Sequence, residues 1–374
     1  MKIKIYKEFN SELEIYWNKI EKSSNYFIFQ KFDWLKTWQR YIGNHSYKIS
    51  PHIIVLFDDN LSPKIIFPLG TYHKLGVKIF TFLGGNQSDY NYPLIDREWV
   101  NNQKLVMNAW EVISNHFPDF DVLHFEKFPE NILNDFNPFL KILNFRIHDT
   151  AYFSKIPKTI EDFEKKLRSK VRTDTNRQLR RLNALSGVLK IDLNNILTDD
   201  KVGIKEMIKQ KRKKYALTNV PDIFKDNDVK DFYLNLHKNL TGNASVHFSV
   251  LKFDHHFLST HWGAIHNGRF YFLMPSYESG KFAVYSPGKI LLYNLMTNAI
   301  KNKLEIFDFT IGGEQYKKDW CDNKIDLYEY LKAKSFKGFV YVIIIKLKRK
   351  IRNNSFIFNN IKKIYGLISY LKWK

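Results

Sequence analysis

The chain has 374 residues, of which 44% are hydrophobic and 16% aromatic, and this composition excludes an intrinsically disordered protein. The length favours two domains over a single core. The formal net charge is +21, but residues 336–374 hold ten Lys or Arg and no Asp or Glu, and Lys, Asn and Ile are enriched throughout. We interpret the charge as compositional bias with a basic tail and do not expect nucleic acid as a specific partner.

The first half of the chain alternates helical and strand patterns. Helices are predicted for residues 10–22 and 102–117, and strands for residues 52–59, 63–74, 77–85 and 121–128. Short polar turns join the first three strands. The pattern is typical of a unit in which helices flank a sheet.

Three helical patterns follow. A long charged helix is predicted over Lys158–Leu185, opened by Thr159 and ended near Gly187. Two more helices are predicted for Lys201–Tyr215 and Asp228–Leu240. These helices separate the two regions of the chain that have strand patterns.

The second half of the chain again contains strand patterns. Residues 247–277 predict a meander, with Asn267-Gly268 as a hairpin turn. The segment His247–Asp254 resembles His52–Asp58, and each is followed by a polar turn and another strand. This internal echo fits two copies of one α/β unit.

A helix start follows the meander, in the sequence VYSPGKILLYNLMTNAIKN from Val284. Ser286 is predicted as the N-terminal cap, and Pro287 suits the first helical position because its nitrogen carries no hydrogen. Gly288 would let a ligand approach the backbone, and Lys289 adds a positive charge to that of the helix dipole. We therefore predict an anion site at this helix start.

Residues 305–323, EIFDFTIGGEQYKKDWCDN, place a strand directly before a pair of glycines. Tyr316 and Trp320 then lie four residues apart in a helix-like segment, with Lys317 beside them. The spacing fits an aromatic core stripe, and it also fits a phenol, an ammonium and an indole gathered at a site.

The tail, residues 336–374, contains the apolar run Phe339–Ile345 and then basic and aromatic residues. Seven apolar residues are too few to cross a bilayer, which takes about 20. Two alternatives stay open for the tail: a strand or helix that packs on the body, or a segment that lies on an anionic membrane surface.

Other features bear on compartment and metal content. Cys321 is the single cysteine, which excludes an intramolecular disulfide framework, and the N-terminus lacks an apolar signal segment. We therefore expect a cytoplasmic protein, with the inner face of the membrane as an alternative if the tail binds there. The histidines at 255, 256, 261 and 266 lack the company of other metal ligands, so no metal is expected.

The order of these motifs resembles the tandem branch of the GNAT acyltransferase superfamily, which is related to FemABX proteins and to CelD/BcsL-type acyltransferases. The resemblance rests on the meander, the Ser-Pro-Gly helix start, the strand with Asp308, the Gly-Gly pair and Tyr316-Lys317-x-x-Trp320. Phe29–Gly43, Phe82–Ile95 and Phe163–Leu182 resemble the family's opening helix, its Gly-rich segment and its Arg-rich connecting helix. The similarity runs from about residue 10 to 330.

The resemblance implies an α/β (α+β) fold of two tandem GNAT-like units with mixed sheets flanked by helices. The units would span residues 1–155 and 156–335, with a basic C-terminal extension over 336–374. It also implies acyl-CoA as co-substrate, bound by the second unit. The residues expected to bind it are Met274, Tyr277, Ser286, Gly288, Lys289 and Lys317.

The acceptor would enter between the two units, and the residues expected to contact it are Asn86, Asp89, Tyr90, Trp262 and Trp320. Tyr316 is the candidate that stabilises or protonates the thiolate leaving group, since a phenol has a pKa of about 10 and a thiol about 8.5. The candidates that accept the proton of the amine are His261, Glu314, Asp89 and Asp308. Asp308 fits a structural role better, because it lies within an apolar strand. Water remains an alternative base.

The connecting helix carries arginines at 172, 177, 180 and 181. They fit either contacts with phosphates of CoA or of a nucleotide-linked sugar, or a solvated face with partners such as Asp174. We favour the solvated face for most of them.

These expectations favour an enzyme that transfers an acyl group directly from acyl-CoA to the amine of an amino sugar, nucleotide-linked, for a surface polysaccharide. Its partners would be these small molecules. The first alternative is a Fem-like ligase that uses aminoacyl-tRNA to extend a peptidoglycan precursor. The second is a non-catalytic module tethered to a membrane or polyanion through residues 336–374.

Overall fold

The computed structural model describes residues 1–133, 135–193, 202–218 and 220–353. In the first half the helices are α1 (Ser11–Ser23), α2 (Phe32–Trp38), α3 (Arg97–Val100) and α4 (Gln103–Ser114), with a π-helix over Gln39–Tyr47. The strands are β1 (Lys2–Tyr6), β2 (Ser50–Phe57), β3 (Pro63–Lys74), β4 (Val77–Phe82), β5 (Leu94–Ile95), β6 (Val122–Pro129), β7 (Asn131–Ile132), β8 (Asp135–Phe136) and β9 (Arg146–Lys155).

The second half has a similar alternation. Its helices are α5 (Ile160–Lys166), α6 (Ser169–Asn183), α7 (Val202–Thr218), α8 (Asn227–Asn239), α9 (Pro287–Lys301), α10 (Lys317–Trp320) and α11 (Phe336–Asn353). Its strands are β10 (Leu189–Asp192), β11 (Ala244–Phe253), β12 (His256–His266), β13 (Arg269–Tyr277), β14 (Ile306–Ile311) and β15 (Asn323–Ala333).

Thirteen of the fifteen described strands form one mixed sheet, with the order β1-β2-β3-β4-β6-β15-β9-β14-β13-β12-β11-β10 and β5 paired to β3, while β7 and β8 form a separate two-stranded sheet. In each half an antiparallel meander, β2-β3-β4 or β11-β12-β13, is followed by a strand parallel to its last member. The echo between His52–Asp58 and His247–Asp254 is confirmed, because the two segments lie mainly on β2 and β11, the first strands of the two meanders. The fold is the expected mixed α/β arrangement with helices flanking the sheet.

The two halves exchange their last strands. Strand β9 belongs to the first half by sequence but pairs with β14 and β15, and β15 pairs with β6 of the first half. The sheet is therefore continuous across residue 155, and the division into residues 1–155 and 156–335 stays a prediction.

The register of β9 and β15 brings the carboxyl end of β6 and the carboxyl end of β14 to nearly the same level of the sheet. Pro129, at the end of β6, pairs with Leu327, whereas Ile311, at the end of β14, pairs with Ala151. Ala151 in turn pairs with Ile325, only two residues from Leu327 along β15. Strands β6 and β14 run in opposite directions, so their carboxyl ends meet near the centre of the sheet.

Local interactions explain where several helices begin and end, and one predicted helix is wrong. The side chain of Thr159 accepts a hydrogen bond from the amide of Asp162 and caps α5 as expected. The single helix predicted over Lys158–Leu185 is wrong, because the chain is extended at Leu167 between α5 and α6. This break buries the Leu167 side chain in the core of the second half.

Helix α11 packs on the sheet through one face, so the packed helix expected for the tail is confirmed for residues 336–353. Tyr341 and Val342 are buried against Val77, Ile79 and Val122. Residues 354–374 lie outside the described residues. Among the helices of the described part of the chain, none is long and apolar enough to cross a membrane.

Candidate active site

A cavity opens where strands β13 and β14 separate. The two strands pair in parallel only between Arg269–Tyr271 and Ile306–Asp308, and beyond these residues they diverge. The cavity between them has a volume of about 660 Å³, within the range of ligand sites. Its lining comes from both strands, the start of α9, the segment after β14, helix α7 and the loop after β4: Asp89, Lys211, Lys214, Tyr215, Phe272, Leu273, Met274, Pro275, Tyr277, Ala283, Ser286, Pro287, Gly288, Lys289, Leu292, Phe309, Thr310, Ile311, Glu314, Tyr316, Lys317 and Trp320.

The equivalent wedge of the first half is filled. Strands β4 and β6 pair between Ile79–Thr81 and Val122–His124. Just beyond, the ammonium of Lys127 donates to the carbonyl oxygens of Gly85 and Ser88, at 3.0 and 2.8 Å. Aromatic rings of the two strands pack there as well, with Phe82 and Phe125 at 4.9 Å between ring centroids.

The start of α9 forms one end of the cavity, but its cap differs from the prediction. Ser286 has φ 50°, in the left-handed region, and its side chain caps no helix amide, because an N-terminal cap requires extended backbone. Pro287 occupies the first turn as expected. The amides of Lys289 and Ile290 donate to the Ser286 carbonyl, whereas the amide of Gly288 has no backbone acceptor among the described residues.

Two residues at this helix start have defined contacts. A β-carbon on Gly288 would lie 3.1 Å from Cδ1 of Tyr277, so the absence of a side chain gives the cavity wall its close packing. The ammonium of Lys289 is bonded to the carboxylate of Asp174 on α6. The positive charge expected from Lys289 at the anion site is therefore partly neutralised.

The segment after β14 places Tyr316 in the cavity wall with 37% of its surface exposed. Burial of the phenol raises the pKa of Tyr316, so the hydroxyl stays protonated and acts as a hydrogen-bond donor. Trp320 is buried in the core of the second half and also lines the cavity, so its packing is observed and its role at a site stays a prediction.

Lys317 is almost fully buried, and its ammonium bonds to backbone carbonyl oxygens. Its ammonium donates to the carbonyl oxygens of Ile311 at 2.7 Å and Thr310 at 3.4 Å, and it pairs with Glu314 at 3.0 Å. These contacts hold the end of β14 against the following turn. The prediction that Lys317 binds the cofactor is not supported by this geometry, because its donors are directed at protein acceptors.

Asp89 reaches the cavity from the first half of the chain. Burial raises the pKa of Asp89, and the positive charges of Lys127 and Lys317 oppose this rise in part. A carboxylate with a raised pKa is a stronger base, so the structure strengthens Asp89 among the candidate bases. Glu314 also lines the cavity, but its carboxylate is paired with Lys317.

The neighbouring residues of the same loop lie outside the cavity. The hydroxyl of Tyr90 donates to the carboxylate of Asp308 at 2.8 Å, in the core. Asp308 also pairs with Arg269 at 2.6 Å and accepts from the amide of Thr310, so its structural role is confirmed. Asn86 is exposed, and its backbone amide donates to the hydroxyl of Tyr47.

Two predicted residues of the meander do not face the cavity. The ring of His261 is fully buried and stacks on Phe272 with 4.5 Å between centroids, and neither ring nitrogen has a hydrogen-bond partner within the described residues. Burial lowers the pKa of His261 well below its ordinary value, so the ring is a weak base. The prediction of His261 as the base is therefore not supported, because the ring is a weak base and does not line the cavity. Trp262 is likewise buried, against Trp34 and Tyr233.

Sequence reasoning missed the contribution of α7. Lys211, Lys214 and Tyr215 of this helix line the cavity, at spacings of three and four residues that place them on one face. Burial lowers the pKa of Lys211 to about 8, with Lys214 adding to the effect. Lys211 has no hydrogen bond or ion pair within the described residues, whereas Lys214 lies over the ring of Tyr277 at 4.7 Å.

The arginines of α6 follow the solvated interpretation in large part. Arg177 pairs with Asp174 at 2.6 Å, and Arg172 donates to the carbonyl oxygen of Glu164. A second cleft of about 800 Å³ lies along the start of α6 and shares Lys289 with the cavity. Within the described residues, no group of three or more His, Cys, Asp or Glu side chains is arranged to hold a metal ion.

The fold is similar to that of several solved structures. FemX is similar in structure, with a TM-score of 0.61, 12% identity, and coverage of 89% of this chain and 98% of that one. The C-terminal domain of a putative lysylphosphatidylglycerol synthetase from Agrobacterium fabrum has a TM-score of 0.53 and 10% identity, covering 90% of this chain and 96% of that one. A conserved protein of unknown function from Bacteroides thetaiotaomicron VPI-5482 has a TM-score of 0.52 and 10% identity, covering 89% and 100%. At such identities the likeness establishes the fold.

The sequence itself carries a family match in the second half. Residues 169–318 match the acetyltransferase (GNAT) domain, and they include α6, the second meander, α9 and β14. The search among curated proteins found no match. The cavity lies within the matched segment except for Asp89, which the first half supplies, and Trp320.

Proposed function

We propose that the protein transfers an acyl group directly from acyl-CoA to the amine of an acceptor molecule. The observation that carries this proposal is the open wedge between β13 and β14, at the start of α9, inside the segment that matches the GNAT acetyltransferase domain. The filled wedge of the first half supports a single donor site per chain.

The donor fits the wedge through its shape and charge. Beyond Tyr271 no described strand pairs with the β14-facing edge of β13, so amide groups of the pantetheine arm can pair along Met274–Tyr277. The pyrophosphate would lie at the start of α9, near the amide of Gly288, the hydroxyl of Ser286 and Lys289. The basic cleft beside Lys289 is the place where further phosphate of the donor would bind.

The chemistry follows from three side chains on the cavity wall. The amine nitrogen attacks the thioester carbon, a C–N bond forms, and the C–S bond breaks to release the CoA thiolate. Asp89 accepts the proton that the nitrogen loses. Lys211, with its pKa of about 8, supplies a proton to the thiolate at little cost, since a thiol titrates near 8.5. Tyr316 donates a hydrogen bond to the departing sulfur.

The lone cysteine takes no part in this scheme. Burial raises the pKa of Cys321, which keeps the thiol protonated and a poor nucleophile. We therefore propose direct transfer from donor to acceptor, without an acyl group on Cys321.

For the acceptor we propose an amino sugar, nucleotide-linked, of a surface polysaccharide pathway. This choice rests on the sequence resemblance to acyltransferases of polysaccharide pathways. The acceptor would approach from the first half of the chain, where Asp89 enters the cavity. Asn86, Tyr90 and Trp262 contribute no cavity wall, so their role is structural in this proposal.

The test is a mass-spectrometric transfer assay with the purified full chain. A panel of acyl-CoAs is combined with UDP- and dTDP-linked amino sugars, and both free CoA and acylated sugar are measured. A mass gain of one acyl group on one sugar would support donor and acceptor together. Thermal protection by acyl-CoA without any product would keep the donor and reject these acceptors.

Absence of both product and CoA binding would overturn the proposal. The aminoacyl-tRNA alternative is then examined by tRNA binding across a salt series. The net charge of +21 favours some tRNA binding at low salt, so only binding that survives physiological salt would support this alternative.

A further inference from the structure

Helix α11 is fixed to the body at both ends. Ser335 donates to the carboxylate of Asp121 at 2.6 Å and accepts from the amide of Gly338, and a β-carbon on Gly338 would lie 2.2 Å from the Asp121 carbonyl oxygen. Toward the other end, Arg349 donates to both carboxylate oxygens of Glu329 at 2.5 and 2.6 Å. The helix therefore cannot rotate to bury a different face.

The face that this orientation leaves outward is apolar. Its large hydrophobic residues recur every three or four positions over about 22 Å of helix. They are Phe336, Phe339, Val340, Ile343, Ile344, Leu347 and Ile351. Phe336 is 84% exposed, Phe339 57% and Leu347 54%. We call these seven residues the outer face of α11.

Positive charge borders the outer face. Residues 336–353 contain six Lys or Arg and no acidic residue. Lys346, Lys348 and Lys350 form no ion pair within the described residues. An apolar stripe flanked only by cations is the pattern of helices that lie in the headgroup region of anionic membranes.

We propose that the outer face of α11 is a docking surface for an anionic lipid bilayer. A second copy of the chain is a poorer occupant, because two outer faces in contact would bring two sets of like charges together. A nucleic acid would neutralise the lysines but leave the apolar stripe in water. A bilayer with anionic headgroups accommodates both the hydrophobic residues and the cations. This inference does not depend on the acyl-transfer proposal.

The experiment measures sedimentation of the full chain with vesicles of phosphatidylcholine alone and of phosphatidylcholine with phosphatidylglycerol. The double variant Phe339→Ser/Leu347→Ser removes two outer-face side chains. The control Ile15→Ser/Leu217→Ser removes two apolar side chains on other helices that are at least as exposed as Phe339 and Leu347, each 67%. We expect binding to the anionic vesicles to weaken about tenfold or more in the first variant and to stay unchanged in the control. Unchanged thermal unfolding of both variants would show that the fold is intact.

Four outcomes would overturn the proposal. The first is no sedimentation of the wild-type chain with anionic vesicles, and the second is equal binding to vesicles of phosphatidylcholine alone. The third is equal loss of binding in the two double variants. The fourth is that light scattering shows a dimer of the chain, and that Phe339→Ser/Leu347→Ser abolishes this dimer while vesicle binding persists. This result would assign the outer face to a second copy.

Discussion

Replacement of Lys211 by methionine should stabilise the protein at neutral pH while it slows the reaction. The pKa of Lys211 is lowered from 10.5 to about 8, and each unit corresponds to about 1.4 kcal/mol. The full shift would amount to about 3 kcal/mol, and we expect about 2 kcal/mol because the side chain keeps some contact with water. Below pH 8 both folded and unfolded states hold the proton, so the cost of the buried charge is fully present. As the pH rises from 8 to 10.5 the folded state loses its proton first, and the cost disappears.

The assay is urea unfolding at pH 7 and at pH 10, together with turnover at pH 7. Lys213→Met is the matched control, since Lys213 is exposed on the same helix and its loss changes the net charge equally. We expect Lys211→Met to raise the unfolding free energy at pH 7, with a gain that shrinks by pH 10, and to lower kcat. The control should change neither quantity. A Lys211→Met variant that is less stable at pH 7, or a gain that persists at pH 10, would refute the buried-charge argument.

The other predictions concern the cavity wall and the core beneath it. Tyr316→Phe should lower kcat about tenfold and leave acyl-CoA binding nearly unchanged, since one hydrogen bond to the departing sulfur is lost; equal kcat would remove Tyr316 from the mechanism. Gly288→Val should raise the Kd of acyl-CoA about tenfold by calorimetry, because the new side chain meets Tyr277, and Gly288→Ala should have a smaller effect. Arg269→Met should destabilise the chain by about 3–5 kcal/mol in urea unfolding, because it leaves the Asp308 carboxylate buried without its cation. A loss below that of an exposed pair such as Lys36–Glu14 would contradict this reasoning.

Local rules explain what the sequence predicted well. Asn267 and Gly268 both adopt positive φ, 46° and 70°, as a tight hairpin turn requires, and few other dipeptides do so without strain. Pro287 starts α9 because a first-turn residue needs no amide hydrogen. The strand ending at Ile311 was evident from alternation followed by two glycines. In each case a few adjacent residues determine the structure.

The residues that the sequence misplaced depend on contacts distant along the chain. His261 has the ordinary pKa of a base, and only the fold reveals that its ring stacks on Phe272 away from ligand. Lys317 appeared free for a ligand, but the end of β14 supplies its acceptors. Lys211 lies in the helical pattern predicted for residues 201–215, yet α7 is basic on several faces, so the pattern does not identify the face that meets the cavity.

The exchange of strands β9 and β15 explains why one half of the chain can complete the site of the other. The exchange joins the two halves into one sheet and brings the carboxyl ends of β6 and β14 together. The loop after β4 therefore reaches the second wedge, where Tyr90 bonds to Asp308 in the core and Asp89, one residue earlier, enters the cavity. The wedge of the first half is filled by Lys127, so in the proposed mechanism the first half contributes to the second wedge through the carboxylate of Asp89. The two halves thus repeat one pattern of strands, and in the proposed mechanism the second half binds the donor while the first half supplies the base for the acceptor.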